Sequence, residues 1–191
     1  TYCPYAGAAL GFSGYTLAVS GLVADSNLIL TDRETRSRLV QMDGSFFDGK
    51  LKGRRPETFP VVRTTWGRWR QTHPASMLLD APDGGAWDYD AAPFESYRES
   101  DALFFPVAAH GGGLSPKERV LALNAGGERA ALVVTGFGQR HPQGLAFSLG
   151  GKSVRVTVDE PLGALKVEGA EAFEAYWFAF HARWPNIRPL R

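Results

Sequence analysis

Apolar residues alternate with polar ones over short stretches that glycine and proline keep interrupting, the pattern of many short strands joined by tight turns. Residues 15–20 place Tyr15, Leu17 and Val19 on one face against Thr16, Ala18 and Ser20. Ser13-Gly14 predicts a hairpin joining that strand to residues 9–12. A second hairpin is predicted where 145–149 and 153–158 flank Gly150-Gly151, with Val154, Val156 and Val158 on one face. Further strands are expected at 27–32, 38–41, 59–64, 76–79, 120–124, 129–134 and 164–167.

Two stretches change period. Phe173, Tyr176, Trp177, Phe180 and Trp184 recur at three- and four-residue spacing before Pro185, which predicts a helix with a buried stripe. Thr65 stands as an N-cap before Trp66, Trp69 and Arg70, and His73-Pro74 ends that shorter helix. The fold class is therefore mainly β, a β-rich α+β chain. The order of elements also recurs, with 66–74 set against 177–185 and 9–12 against 145–147. This predicts two degenerate repeat copies, 1–80 and 117–191, in one compact unit, each of strands plus one short aromatic helix, joined by an aromatic segment at 81–116. The counterpart of the predicted hairpin at 120–134 would precede Thr1, so the first copy is expected to be N-terminally incomplete.

Composition adds mainly exclusions. The chain has 191 residues, 44% of them hydrophobic, enough to bury a core. Its 21 basic and 20 acidic residues leave no net field to attract nucleic acid. The run Lys50, Lys52, Arg54, Arg55 is bracketed by Asp48 and Glu57 and reads as a solvated loop. No apolar run is long enough for a transmembrane segment. The single cysteine, Cys3, rules out an internal disulfide framework.

The pattern Cys3-Pro4, Gly7-Ala8-Ala9, Val19-Ser20-Gly21-Leu22, Ser26-Asn27-Leu28, Asp32-Arg33-Glu34-Thr35, Gln41, residues 51–53, Thr65-Trp66, His73-Pro74, Phe105-Pro106 and Pro116-Lys117-Glu118-Arg119 resembles the DUF3179 family, whose function is unknown. The resemblance implies an internal repeat and an extracytoplasmic setting, periplasmic or secreted, and no reaction. Two positions depart from it: Ala6 stands where members often carry a second cysteine, and Leu39-Val40 where an aromatic is common.

Chemistry-bearing residues are few. Cys3 is the one thiol, reactive only if a cation, a helix start or a metal lowers its pKa. Among the histidines His73, His110, His141 and His181, His110 stands out, because it precedes three glycines in a loop. His110 to Gly113 also matches the oxyanion-hole element of lipases and esterases, but no G-x-S-x-G elbow accompanies it. Asp32, Arg33, Glu34 and Gln41 form the densest polar group of the first copy, with Lys117 a further supporting residue. One reading has Arg33 stabilise a turn through Asp32 or Glu34; the sharper one sets Arg33 and Gln41 beside Cys3. Trp87, Tyr89, Phe94, Tyr97, Phe104 and Phe105 either stack on a ligand or pin a long loop to the core.

Three functions follow. The first is a non-catalytic binding or assembly module for a protein partner or small ligand. The second is a site of Cys3 and His110, with Arg33 or Gln41, that binds a soft metal such as copper or performs thiol chemistry. The third is a structural subunit of a larger complex.

Overall fold

The computed structural model describes residues 1–78, 88, 91–109 and 111–191. The chain opens with β1 (Tyr2–Cys3) and β2 (Ala8–Ala9), an antiparallel pair. β3 (Gly11–Ser13) is followed by a four-stranded meander of β4 (Leu17–Ala24), β5 (Asn27–Asp32), β6 (Arg38–Val40) and β7 (Ser45–Phe46). β8 (Glu57–Phe59) returns to pair antiparallel with β3, and α1 (Trp66–Thr72) follows. After α2 (Glu95–Glu99) come the hairpin β9 (Arg119–Ala125) and β10 (Glu128–Val133), then α3 (Phe137–Arg140). A three-stranded meander of β11 (Leu145–Leu149), β12 (Lys152–Asp159) and β13 (Ala164–Glu168) leads to β14 (Glu171–Tyr176), which pairs with β9. α4 (Trp177–Arg183) and β15 (Pro189–Leu190), parallel to β10, close the chain. The fold is mainly β, as the alternation predicts.

The sheet β14-β9-β10-β15 divides two cores. Successive side chains of a strand point to opposite faces, so Val120, Ala122 and Ala131 pack into one core and Leu121, Leu123, Ala130 and Leu132 into the other. Burial on both faces is why 120–123 reads as an unbroken apolar run. The first core joins Cys3, Leu30, Leu39 and Phe46 to Trp177 and Phe180 of α4; the second lies between this sheet and β11–β13.

Several expectations need correction. Ser13-Gly14 does not join a hairpin, because β3 pairs with β8, 44 residues away at the Ser13–Glu57 contact, and β4 pairs with β5. The aromatic stripe at 173–184 is two elements: Phe173 lies in β14, and the helix begins only after Tyr176, once pairing with β9 ends. The strand expected at 59–64 ends at Phe59, and residues 76–78 form no strand, Leu79 lying outside the described residues.

Helix α1 forms as read. The Thr65 hydroxyl accepts from the Arg68 amide at the start, and the His73 amide donates to the Trp69 carbonyl at the end. α3 and α4 also stop one residue before proline, at His141 and Trp184, with the backbone at φ −132° and ψ 68° and at φ −134° and ψ 68°. The proline ring pushes the residue before it off the helical conformation in each case.

Candidate functional site

Cys3, Asn27 and Gln41 come together beside the β1–β2 loop. That loop is docked from outside: the Tyr176 amide donates to the Ala6 carbonyl at 2.7 Å, and the Tyr176 ring presses on Gly7, where a Cβ would come within 2.8 Å of it. Gly7 also has a positive φ of 61°, so a side chain there would be both strained and crowded.

Cys3 is fully buried. Its thiol donates to the Ser26 carbonyl at 3.6 Å, and its sulfur accepts from the Ala6 amide at 3.5 Å. Ala6 thus contacts the sulfur through its backbone. Beneath the thiol, Asn27 donates to the Gln41 side-chain carbonyl at 2.9 Å and accepts from the Met42 amide at 2.9 Å. Gln41 in turn donates to the Thr1 hydroxyl at 3.0 Å and the Ala8 carbonyl at 3.3 Å. These paired amides satisfy one another, as burial demands.

Burial pushes the Cys3 thiol above its ordinary pKa; hydrogen bonds from the amides of Ala6, Leu28 and Tyr5 and from Asn27 oppose the shift without reversing it. A nucleophilic or metal-binding cysteine needs the opposite shift. The expected result is that Cys3 resists iodoacetamide in the folded protein and reacts promptly in urea; prompt labelling of the native state would contradict the sealed geometry. The sign for stability follows. The unfolded thiol ionises first, so the unfolded chain sheds protons that the folded one keeps, and stability falls as pH rises past about 9. Cys3→Ala flattens that part of the profile in urea titrations between neutral and alkaline pH.

The Ser26 carbonyl belongs to an unusual turn. Asp25 and Ser26 link β4 to β5 with φ of 48° and 57°, both in the left-handed region that glycine normally occupies. Such residues cost about 1–3 kcal/mol each and persist where the surroundings over-determine them. Here the Ser26 hydroxyl donates to the Phe105 carbonyl at 2.9 Å, the Asp25 carboxylate accepts from the Ala108 amide at 2.9 Å, and Arg183 faces that carboxylate at 3.6 Å.

The other sequence-selected residues lie elsewhere. Arg33 is exposed in the turn after β5 and its amide donates to the Thr16 carbonyl. Asn27 and Asp32 stand at opposite ends of β5, about 17 Å apart at 3.3 Å per residue, so Arg33 does not sit beside Cys3. The buried Asp32 carboxylate is held by Thr35 rather than by Arg33, accepting from its amide at 2.8 Å and its hydroxyl at 2.7 Å. The Thr35 side chain is the main cause that holds Asp32 below the usual carboxylate pKa, and Glu34 is exposed. Lys117 clamps a loop instead: its amine lies 3.5 Å from the Tyr97 ring centre and donates to the carbonyls of Tyr97, Ser100 and Ala102. Burial lowers its pKa.

The aromatics also serve that loop. Tyr5 meets Phe105 at 5.0 Å and Phe94 at 5.7 Å between ring centres, and Tyr97 meets Phe104 at 4.3 Å. Trp87 and Tyr89 lie outside the described residues, as does His110, so its pairing with Cys3 rests on no described geometry. His73 stacks on Trp69, while His181 is buried against Trp177 with a ring nitrogen that has no partner among the described residues. No cluster of three or more metal-ligating His, Cys, Asp or Glu side chains occurs among the described residues.

Sequence reasoning missed a recess. A cleft of about 570 Å³ runs along the second core, walled by Leu165 and Val167 of β13, Ala172 and Phe173 of β14, Phe59 at the end of β8 and Val61 just after it. β13 and β14 are each the edge strand of their own sheet, and both line this one space. Gly169 turns the chain between them with a φ of 84°, without pairing them. The sequence contains both strands but no sign that their edges stay apart.

A buried thiol–amide cluster and a cleft lined by two edge strands stand together on a mainly β scaffold. The sequence profile of the protein of unknown function family DUF3179 matches residues 1–165, and the chain belongs to that family. Neither the curated proteins nor the solved structures contain a match to it.

Proposed function

We propose that this chain is a non-catalytic binding module that takes an extended, largely apolar segment of a partner polypeptide into the cleft between β13 and β14. The observation that carries the reading is that two edge strands, β13 and β14, line one recess, β14 being bonded on its outer side at Tyr176 by the Ala6 carbonyl. Edge strands present rows of free amides and carbonyls, and an extended peptide supplies complementary groups along both of its sides. Apolar walls provide pockets for alternate side chains, with Arg55 and Arg129 at the margin.

The test is selection of displayed random dodecapeptides on the purified protein, followed by hydrogen exchange with the best binder. Slowed exchange at 164–168 and 171–174, and loss of binding in Ala172→Trp, whose indole fills the cleft, are the expected results. Unchanged exchange there, or equal binding by the variant with its circular dichroism intact, would sink the proposal.

We also propose descent of the two halves from one repeated unit. In each, a meander is enclosed by an antiparallel pair, β3 with β8 or β9 with β14, whose second strand leads into a helix. The proposed setting is extracytoplasmic, supported by the family resemblance and testable by cell fractionation.

A further inference from the structure

We infer that the face formed by residues 59–70, which borders the cleft at residues 59–63 and extends over α1, docks on an anionic lipid surface. α1 buries none of its residues. A helix of 7 residues is too short to persist alone. It is held by its Thr65 cap, the stack of Trp69 on His73 at 4.0 Å, the bond from the Trp69 indole to the Ser76 hydroxyl at 2.9 Å, and Arg68 reaching the Glu160 carbonyl at 3.5 Å. These contacts fix the helix while the described residues leave its outer surface uncovered.

That surface is apolar and cationic together. Phe59, Val61, Val62 and Trp66 are 54%, 42%, 38% and 42% exposed, and they line one shallow groove. Residues 59–78 contain the exposed Arg70, together with Arg63, bonded to the Tyr176 side chain, and Arg68, held at the Glu160 carbonyl, and no aspartate or glutamate, in a chain whose net charge is only +1. Of the neighbouring described acids, Glu57 accepts from the Ser13 hydroxyl at 3.2 Å.

The occupant follows from this chemistry. A second copy would bring a face of the same sign against it. Nucleic acid would leave the aliphatic Val61 and Val62 without a counterpart. The interfacial region of an anionic bilayer satisfies all three components, since tryptophan settles at headgroup depth, aliphatic side chains enter the acyl boundary and arginine pairs with phosphate. No helix among the described residues is long and apolar enough to cross a membrane, so this contact is peripheral.

The test is co-sedimentation of the chain with vesicles of phosphatidylcholine alone and of phosphatidylcholine with one quarter phosphatidylglycerol. The expected result is binding to the anionic vesicles only, released by 0.5 M sodium chloride, where the Debye length shrinks to about 4 Å. Arg70→Glu should weaken it at least about five-fold, which corresponds to removing one cation from the surface. Trp66→Ala should also weaken it, and both side chains are exposed, so neither variant threatens the fold. Equal sedimentation with both vesicle types, no sedimentation, tighter binding to a DNA oligonucleotide, or a dimer that shields Trp66 would overturn the inference. Both variants lie outside the cleft, so failure here leaves the peptide-binding proposal standing.

Discussion

Replacing Asn27 with alanine is expected to destabilise the chain by about 3 kcal/mol, because it strands two buried groups at once. The Gln41 carbonyl oxygen loses its donor and the Met42 amide loses its acceptor, in a place where both Asn27 and Gln41 are fully buried. Each orphaned group costs about 1–3 kcal/mol. With a urea slope of about 2 kcal/mol/M, the unfolding midpoint should fall by about 1.5 M. The double replacement Asn27→Leu with Gln41→Leu removes both amides and should recover part of the loss. A cost for Asn27→Ala below about 1 kcal/mol would mean that water reaches the cluster, and the description of it as sealed would fail.

The second large effect is expected at Gly126. The β9–β10 hairpin turns through Gly126-Gly127 and the β11–β12 hairpin through Gly150-Gly151, and the two turns touch backbone to backbone. A Cβ on Gly126 would land on the Gly150 carbonyl. Gly126→Ala therefore combines a left-handed backbone, at a φ of 55°, with a clash that no side chain can relieve by rotating. Together these should cost about 3 kcal/mol. Gly127→Ala is the internal control, since its φ of 83° is also positive, and no less strained for alanine, but nothing lies within 4 Å of the added carbon. The difference between the two variants in urea unfolding isolates the contact between the sheets. Equal destabilisation would show that the turns do not need to touch. Because the same two sheets contribute β13 and β14 to the cleft, Gly126→Ala should also weaken capture of the selected peptides.

Local signals account for what could be read in advance. Thr65 and His73-Pro74 mark the ends of α1 because capping and the proline constraint act within a few residues. Gly150-Gly151 marks its hairpin because two adjacent positive φ values call for glycine. The Asp25-Ser26 turn carries no such mark. Its backbone is paid for by Phe105, Ala108 and Arg183, all far along the chain. The stripe from Phe173 to Trp184 misleads for a related reason: spacing alone fits a single helix, yet pairing with β9 extends the strand to Tyr176.

The candidate site divides in the same way. Cys3 and Gln41 could be picked out by residue type, and both belong to one buried cluster, but only the fold shows that Asn27 joins them and that Arg33 stands at the far end of β5. By itself the sequence determined the mainly β class, the hairpin at Gly150-Gly151, the limits of α1 and the family, since each follows from neighbours in the chain or from an ordered series of motifs. Tertiary structure alone decided that the thiol is sealed, that β13 and β14 line one cleft as edge strands, and that the described residues leave α1 uncovered. Those are properties of which surfaces meet, and the meeting partners lie tens of residues apart.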